Sequence, residues 1–330
     1  MKLLSFFGLG KRSSGAAQQA QDTDSLAKRL RKLYREGALD IPLIGRGQTP
    51  ERHTALYELA RTDLALARII EAHTDATAIL AEADFPPREK ALYGVWAADG
   101  PDSQLYAQEL SDGRLALHGT KRYCSGCSFL DAALVTAHRG ASLVLIDIGM
   151  GSRGISVDTS DWASPAMAAT ATGTVIFDHV TIEPSQQVGG PGWYLERPGF
   201  WHGALGPAAC WAGGAAGLVD AAQAARKANS HYLAHLGALH AMAWGMTALL
   251  DRAGREIDAD PTDSSQRARF RALAARQLIE RLCTQVMDHF GRATGPSLLA
   301  FNAEIAQRYA DLTLYIRQCH AERDLESLQS

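Results

Sequence analysis

Cysteine is scarce. Five are spread over 330 residues, an odd and sparse set that excludes a dense disulfide framework and fits a reducing compartment, so a cytoplasmic location is expected. Excess charge of one sign is also missing. The 33 Lys and Arg against 36 Asp and Glu leave a net charge of −3, which gives no support to a general nucleic-acid or membrane-surface binder. No run of the sequence approaches the roughly 20 apolar residues of a membrane-spanning helix, so no membrane partner is expected. No G-x-G-x-x-G follows a strand-like run, which removes support for a Rossmann dinucleotide site. The opening MKLLSFFGLGKRSSGAAQQAQ holds a lysine and about eight apolar residues without a clear small-residue cleavage site, so export is not expected.

What is present falls into zones. The chain is long enough for two or three compact units and a sizeable core. Residues 1–23 read as a mobile leader, rich in Ser, Ala, Gln and Asp from about residue 11. From 24 to 90 the pattern is helical, with Leu26, Leu30 and Leu33 on one face, then Leu56, Leu59, Leu64, Ala67 and Ile70 at helical spacing. Thr49, Pro50 and Glu51 form a helix start, with Thr as the cap. Residues 91–190 change to short β-type runs such as RLALHGTKRYCSG, AALVTAHR, ASLVLIDI and TGTVIFDHVTIEP. Strands without intervening helices predict an antiparallel sheet or barrel. Residues 191–330 return to the helical period, with helices expected at 203–229, 231–256, 264–290 and 298–321, a four-helix bundle. The fold class is therefore multi-domain α+β.

The stretch KRYCSGCSFLDAALVTA sets Cys124 and Cys127 in a C-x-x-C spacing. A zinc site would need two further ligands, and neither a second C-x-x-C nor a paired-His motif occurs. His231 and His235 are spaced i, i+4 on a helix, again with no acid motif beside them. No metal is expected, and both cysteines read as small packing residues.

Three ordered motifs give the chain a likeness. They are ALYGVWAADGPDSQL, then LALHGTKRYCSGCSFLDAALVTA, then SPAMAATATGTVIFDHV. Taken with the helix–sheet–bundle order, they resemble the acyl-CoA dehydrogenase superfamily, in a divergent and shortened form. The resemblance implies an FAD-dependent oxidoreductase that desaturates an acyl thioester, with CoA or a carrier protein presenting the acyl chain. It implies FAD held by Val95, Trp96, Ala97, Ala98, Tyr123, Cys124 and Ser125. Of these, Ser125 takes the hydroxyl position facing the flavin and Tyr123 the aromatic one, whereas Cys124 alternates away. In HFGRATGP, residues Gly291, Arg292 and Gly295 match a segment that touches the FAD of a neighbouring subunit. A homodimer or homotetramer follows, while the electron acceptor stays unknown. The family's R-x-x-F-G segment is missing, since RKANSHYLAHLG makes a shorter link.

Removing the α-proton of a thioester needs a positioned base. Relatives carry a glutamate on the first long bundle helix, where this chain reads GALGPAAC, or after an Arg-Asp pair near the C-terminus. From Asp311 the second place falls at Cys319, beside His320. No glutamate stands at either. His320, and His202 at the start of the bundle, become the candidate bases, since imidazole titrates near neutrality. Two alternatives follow. One is a flavin-dependent monooxygenase of the same fold, which needs no thioester base; the other is a non-catalytic flavoprotein-like subunit.

Overall fold

The computed structural model describes residues 12–100 and 102–328. Residues 1–11 of the expected leader lie outside the described residues; residues 12–23 are helical and belong to α1 (Arg12–Arg35). Two more helices follow, α2 (Thr49–Thr62) and α3 (Leu64–Glu82). Asp63 caps α3 by accepting from Leu66 N at 2.9 Å. Thr49 is not the cap of α2. It sits inside the helix, fully buried, and its hydroxyl accepts from Gly45 N at 2.8 Å and donates to Asp258 at 2.6 Å.

The middle of the chain is one sheet. Its strands are β1 (Tyr93–Trp96), β2 (Leu105–Glu109), β3 (Leu115–Cys124), β4 (Ala132–Arg139), β5 (Ser142–Gly149), β6 (Ile155–Asp158), β7 (Gly173–Ile182) and β8 (Gln187–Val188). They lie in the order β6-β7-β3-β2-β4-β5-β8, with β1 on β4. The pairs β2·β3, β3·β7, β4·β5, β5·β8 and β6·β7 are antiparallel; β1·β4 and the single β2·β4 pairing are parallel. One face builds a core from Leu117, Cys124, Val135, Ile146 and Phe177. Opposite it, Tyr93, Leu134 and Leu145 pack on Ala76, Ile79 and Leu80 of α3. Burial on both faces explains why β4 reads as a nearly unbroken apolar run.

The C-terminal part holds α4 (Trp193–Glu196), α5 (Pro198–Gly203), α6 (Leu205–Ala224), α7 (Ser230–Ala259), α8 (Ala268–Thr294), α9 (Pro296–Phe301), α10 (Ala303–Tyr315) and α11 (Glu322–Glu326). α6 is its axis. Ala and Gly let α2 approach closely: a Cβ on Gly213 would lie 2.1 Å from Tyr57 O. The last expected helix, 298–321, is broken. Asn302 turns extended and caps α10 through Ile305 N at 3.1 Å, which ends α9. α7 corrects a further expectation, because by length and composition alone it is apolar enough to cross a membrane, with a mean hydropathy of 1.3. Its inner face, with Tyr232, Leu239, Met246 and Leu250, joins the bundle core, while Leu233 and Trp244 stand exposed, Trp244 at 74%.

Candidate functional site

A cavity of about 700 Å³ opens where the sheet, α3 and the bundle meet. The end of β1 forms one wall, with Val95, Trp96, Ala97, Ala98 and Asp99. Two successive alanines leave this wall almost bare backbone. Trp96 is 3% exposed, and its Nε1 donates to Ser125 O at 3.1 Å, tying this wall to the turn after β3. Beneath it Lys121, fully buried, donates to Asp99 Oδ1, to Thr136 Oγ1 at 2.8 Å and to Ala98 O at 3.4 Å.

Ser125 borders the cavity and takes a hydrogen bond from Thr172 Oγ1 at 3.0 Å. Thr172 in turn lies 2.8 Å from Thr170 Oγ1, and Thr170 donates to Met167 O at 2.6 Å. Asp311 of α10 fixes Met167 by accepting from its backbone N at 2.5 Å. Burial pushes the Asp311 carboxyl up, and the bond from Met167 opposes that rise. Tyr123 and Met167, both on the cavity, hold φ of +59° and +56°. Such backbone costs energy and persists only where its surroundings fix it.

Another wall is ionic. Arg68, Glu71 and Asp75 of α3 border the cavity, with Arg68 Nη1 2.9 Å from Glu71 Oε2. Arg276 of α8 donates to Ala204 O at 2.6 Å and to Gln318 O at 3.0 Å, and lies 4.6 Å from the Trp211 ring centroid. It joins the start of α6 to the short 3₁₀ turn Ile316–Gln318, after which His320 reaches the cavity mouth. The sequence reading missed this wall. Its signal was a polar stripe, Arg68, Glu71 and Asp75 at i, i+3 and i+7, on an otherwise apolar helix.

The predicted residues separate. Val95, Trp96, Ala97, Ala98, Tyr123, Ser125 and His320 all border the cavity. Cys124 does not; its thiol is fully buried in the sheet core and donates to Lys121 O at 3.2 Å. Cys127 is buried beside it and donates to Ala171 O at 3.2 Å. Burial pushes both thiols up, which makes them inert packing groups. His202 is also away from the cavity: it is buried in α5, with Nε2 3.1 Å from Pro261 O, and burial lowers its pKa. Gly291 lies inside α8, whose C-cap is Gly295 at φ +65°, and Arg292 pairs with Asp288 at 2.7 Å on the exposed face. None of these three borders the cavity of its own chain.

No protein-family model and no curated protein sequence matches this chain. Solved structures do. The FMN-bound TdsC of Paenibacillus sp. A11-2, a dibenzothiophene monooxygenase, superposes with a TM-score of 0.78 at 18% identity, over 94% of this chain and 96% of that one. KijD3, in complex with FMN and dTDP-3-amino-2,3,6-trideoxy-4-keto-3-methyl-D-glucose, gives 0.79 at 15% identity over 95% and 90%. The nitrososynthase of Micromonospora carbonacea var. africana gives 0.77 at 18% over 95% and 93%. What these likenesses establish is the fold, a mixed α+β architecture of the acyl-CoA dehydrogenase type.

Proposed function

We propose that this chain is a flavin-dependent monooxygenase acting on a small polar ring compound, with FMN as the flavin. The observation that carries the reading is the cavity's division into two unlike walls. Bare backbone at Ala97 and Ala98, with Trp96 and the Ser125 hydroxyl, suits the edge and face of a flat isoalloxazine. The ionic wall of Arg68, Glu71 and Asp75 suits a polar substrate and would leave the apolar chain of an acyl thioester against charge. Likeness to structures that carry FMN supports the mononucleotide over FAD. It also favours monooxygenation over thioester desaturation, for which neither bundle position supplies a glutamate.

Bound in reduced form, the flavin would supply two electrons to O₂. The chain's residues then have four tasks. Ser125 and the β1 wall orient the ring, the buried Trp96 and Met167 exclude water, the ionic wall holds the substrate, and His320 faces the mouth. The test supplies externally reduced FMN and follows oxygen uptake and product with small amino- and hydroxyl-substituted ring compounds. Substrate-dependent oxygenated product is expected. Anaerobic bleaching of the flavin by an acyl-CoA would instead return the chain to the dehydrogenases.

Ser125→Ala is expected to weaken FMN binding by about 1 kcal/mol, roughly five-fold in Kd, read by fluorescence titration. An unaltered Kd and spectrum would take Ser125 out of the site. The exposed face of α7, with Leu233 and Trp244, supports self-association into at least a homodimer. Trp244→Arg should then halve the mass seen by light scattering at micromolar concentration. A wild-type chain already monomeric, or a variant of unchanged mass, would refute this role for α7.

A further inference from the structure

The acid that the first long bundle helix lacks reaches the cavity from another element. Glu71 and Asp75 lie one turn apart on α3, which places their Cβ atoms about 5–6 Å from each other, and both border the cavity. The segment without an acid makes room for them. A Cβ on Gly206 would lie 2.8 Å from Glu71 Oε1, and one on Gly203 would lie 2.8 Å from Asp75 Oδ1. In GALG, the two glycines fit the carboxylates of α3 as a lock fits two wards.

The two acids keep free capacity. Glu71 is 4% exposed and gives one oxygen, Oε2, to Arg68, while Oε1 faces Gly206 and accepts nothing from a described cation. No hydrogen bond or ion pair joins the Asp75 carboxylate to another described residue. Around them stand four cations from different elements: Arg52 of α2, Arg68 of α3, Arg276 of α8 and Arg197 between α4 and α5, the last paired with Glu82. Tyr194, Tyr315 and Cys210 complete the surroundings and are held neutral, since burial raises all three. Burial likewise pushes the Glu71 carboxyl up to about 7 and raises that of Asp75, with Arg68 and Arg197 pulling the other way.

We infer that Glu71 and Asp75 are the proton-accepting pair of this cavity and that the substrate presents an amine to them. This rests on the monooxygenase reading above. Two open acceptors on one side match a group with two protons, an amine, better than a hydroxyl with one. The surrounding arginines disfavour an ammonium, so the amine binds neutral and its lone pair stays available. When the N–O bond forms from that lone pair and the O–O bond breaks, the nitrogen becomes cationic. A carboxylate oxygen of the pair then takes one N–H proton, and the bonding pair returns to nitrogen. The other oxygen atom leaves as water, with both electrons drawn from the reduced flavin.

Calorimetry at pH 7 on the full-length protein, with and without FMN, tests this with aniline, an amine that is neutral at that pH, and the aromatic alcohol phenol as probes. The amine should bind at least about ten-fold tighter than the alcohol, an energy of roughly 1.4 kcal/mol. Asp75→Asn, which breaks no existing bond, should abolish that preference while FMN affinity is kept; Glu71→Gln and Gly206→Ala should do the same if they fold. Equal binding of the two probes, or a preference that survives Asp75→Asn, would overturn the pair. Should FMN fail to bind while the amine preference stands, the flavin reading falls and the pair does not. If FMN binds and the preference is absent, the pair alone is wrong.

Discussion

Replacing His320 by alanine is expected to lower turnover by about 10²–10⁴-fold, the usual worth of a positioned acid or base, while FMN binding survives. Bundle helix α10 ends in the 3₁₀ turn Ile316–Gln318, and the chain then turns so that His320 borders the cavity. Ala321, directly after it, sits at φ +47°, a backbone that alanine adopts only when its surroundings hold it there. Asp324 orients the ring loosely: it accepts from the His320 backbone N at 3.2 Å, and its Oδ1 lies 3.6 Å from Nδ1. The proposed oxygenation would produce water, so a proton would have to reach the departing oxygen from some group. His320 is the imidazole among the cavity-lining residues, and with its side chain 58% exposed it can be reprotonated from solvent. Single-turnover product formation and peroxide release separate the possibilities. Lost product with continued flavin reoxidation would mark a proton donor. Full product yield from His320→Ala would reduce the residue to a cap on the chain end. His320→Gln, which keeps a hydrogen-bond donor without its acidity, should be nearly as impaired as alanine.

The sequence displays the walls of this site unequally. The β1 wall and the Ser125 turn show through the resemblance of the three ordered motifs to the acyl-CoA dehydrogenases, because a strand end and a tight turn write their constraints into neighbouring residues. Their place in the fold follows from periodicities of about 3.6 and 2, which give the order of helices and strands, although α1 begins already at Arg12 and the expected helix 298–321 is split at Asn302. The ionic wall does not show in this way. Asp75 and Glu71 lie well over a hundred positions from the glycines that receive them, Gly203 and Gly206 respectively, and in one sequence a buried charge looks like a solvated one. Thr49 shows the same limit. Its position before Pro50 announces a cap, yet its hydroxyl is claimed by Asp258 of α7, a distant partner. His202 and His320 were also indistinguishable as letters. Packing against Pro261 buries the first, and a helix end delivers the second to the cavity.

Lys121→Met is expected to destabilise the protein by about 2–4 kcal/mol, at or a little below the usual cost of unpairing a buried ion, because Asp99 is only partly buried. It should also weaken FMN binding by at least an order of magnitude. The ammonium of Lys121 is fully buried and makes three contacts, with Asp99, Thr136 and Ala98 O. Asp99 is one-third exposed and also meets His138 Nε2 at 3.0 Å. Removing the ammonium leaves the Asp99 carboxylate with the His138 imidazole as its remaining described partner and takes from Thr136 and Ala98 O the donor that Lys121 gave them. Both ends of the loss fall on the same few residues, since Ala98 and Asp99 form part of the cavity's backbone wall. Urea unfolding of the two single variants and the Lys121→Met/Asp99→Asn double variant apportions the effect. The double variant should recover at least half the stability lost by Lys121→Met, because it removes the stranded charge. It should not recover FMN affinity, because the wall still lacks the tie that Lys121 makes to Ala98 O. A Lys121→Met protein with wild-type stability and FMN affinity would show that the wall is held by the β1·β4 pairing alone.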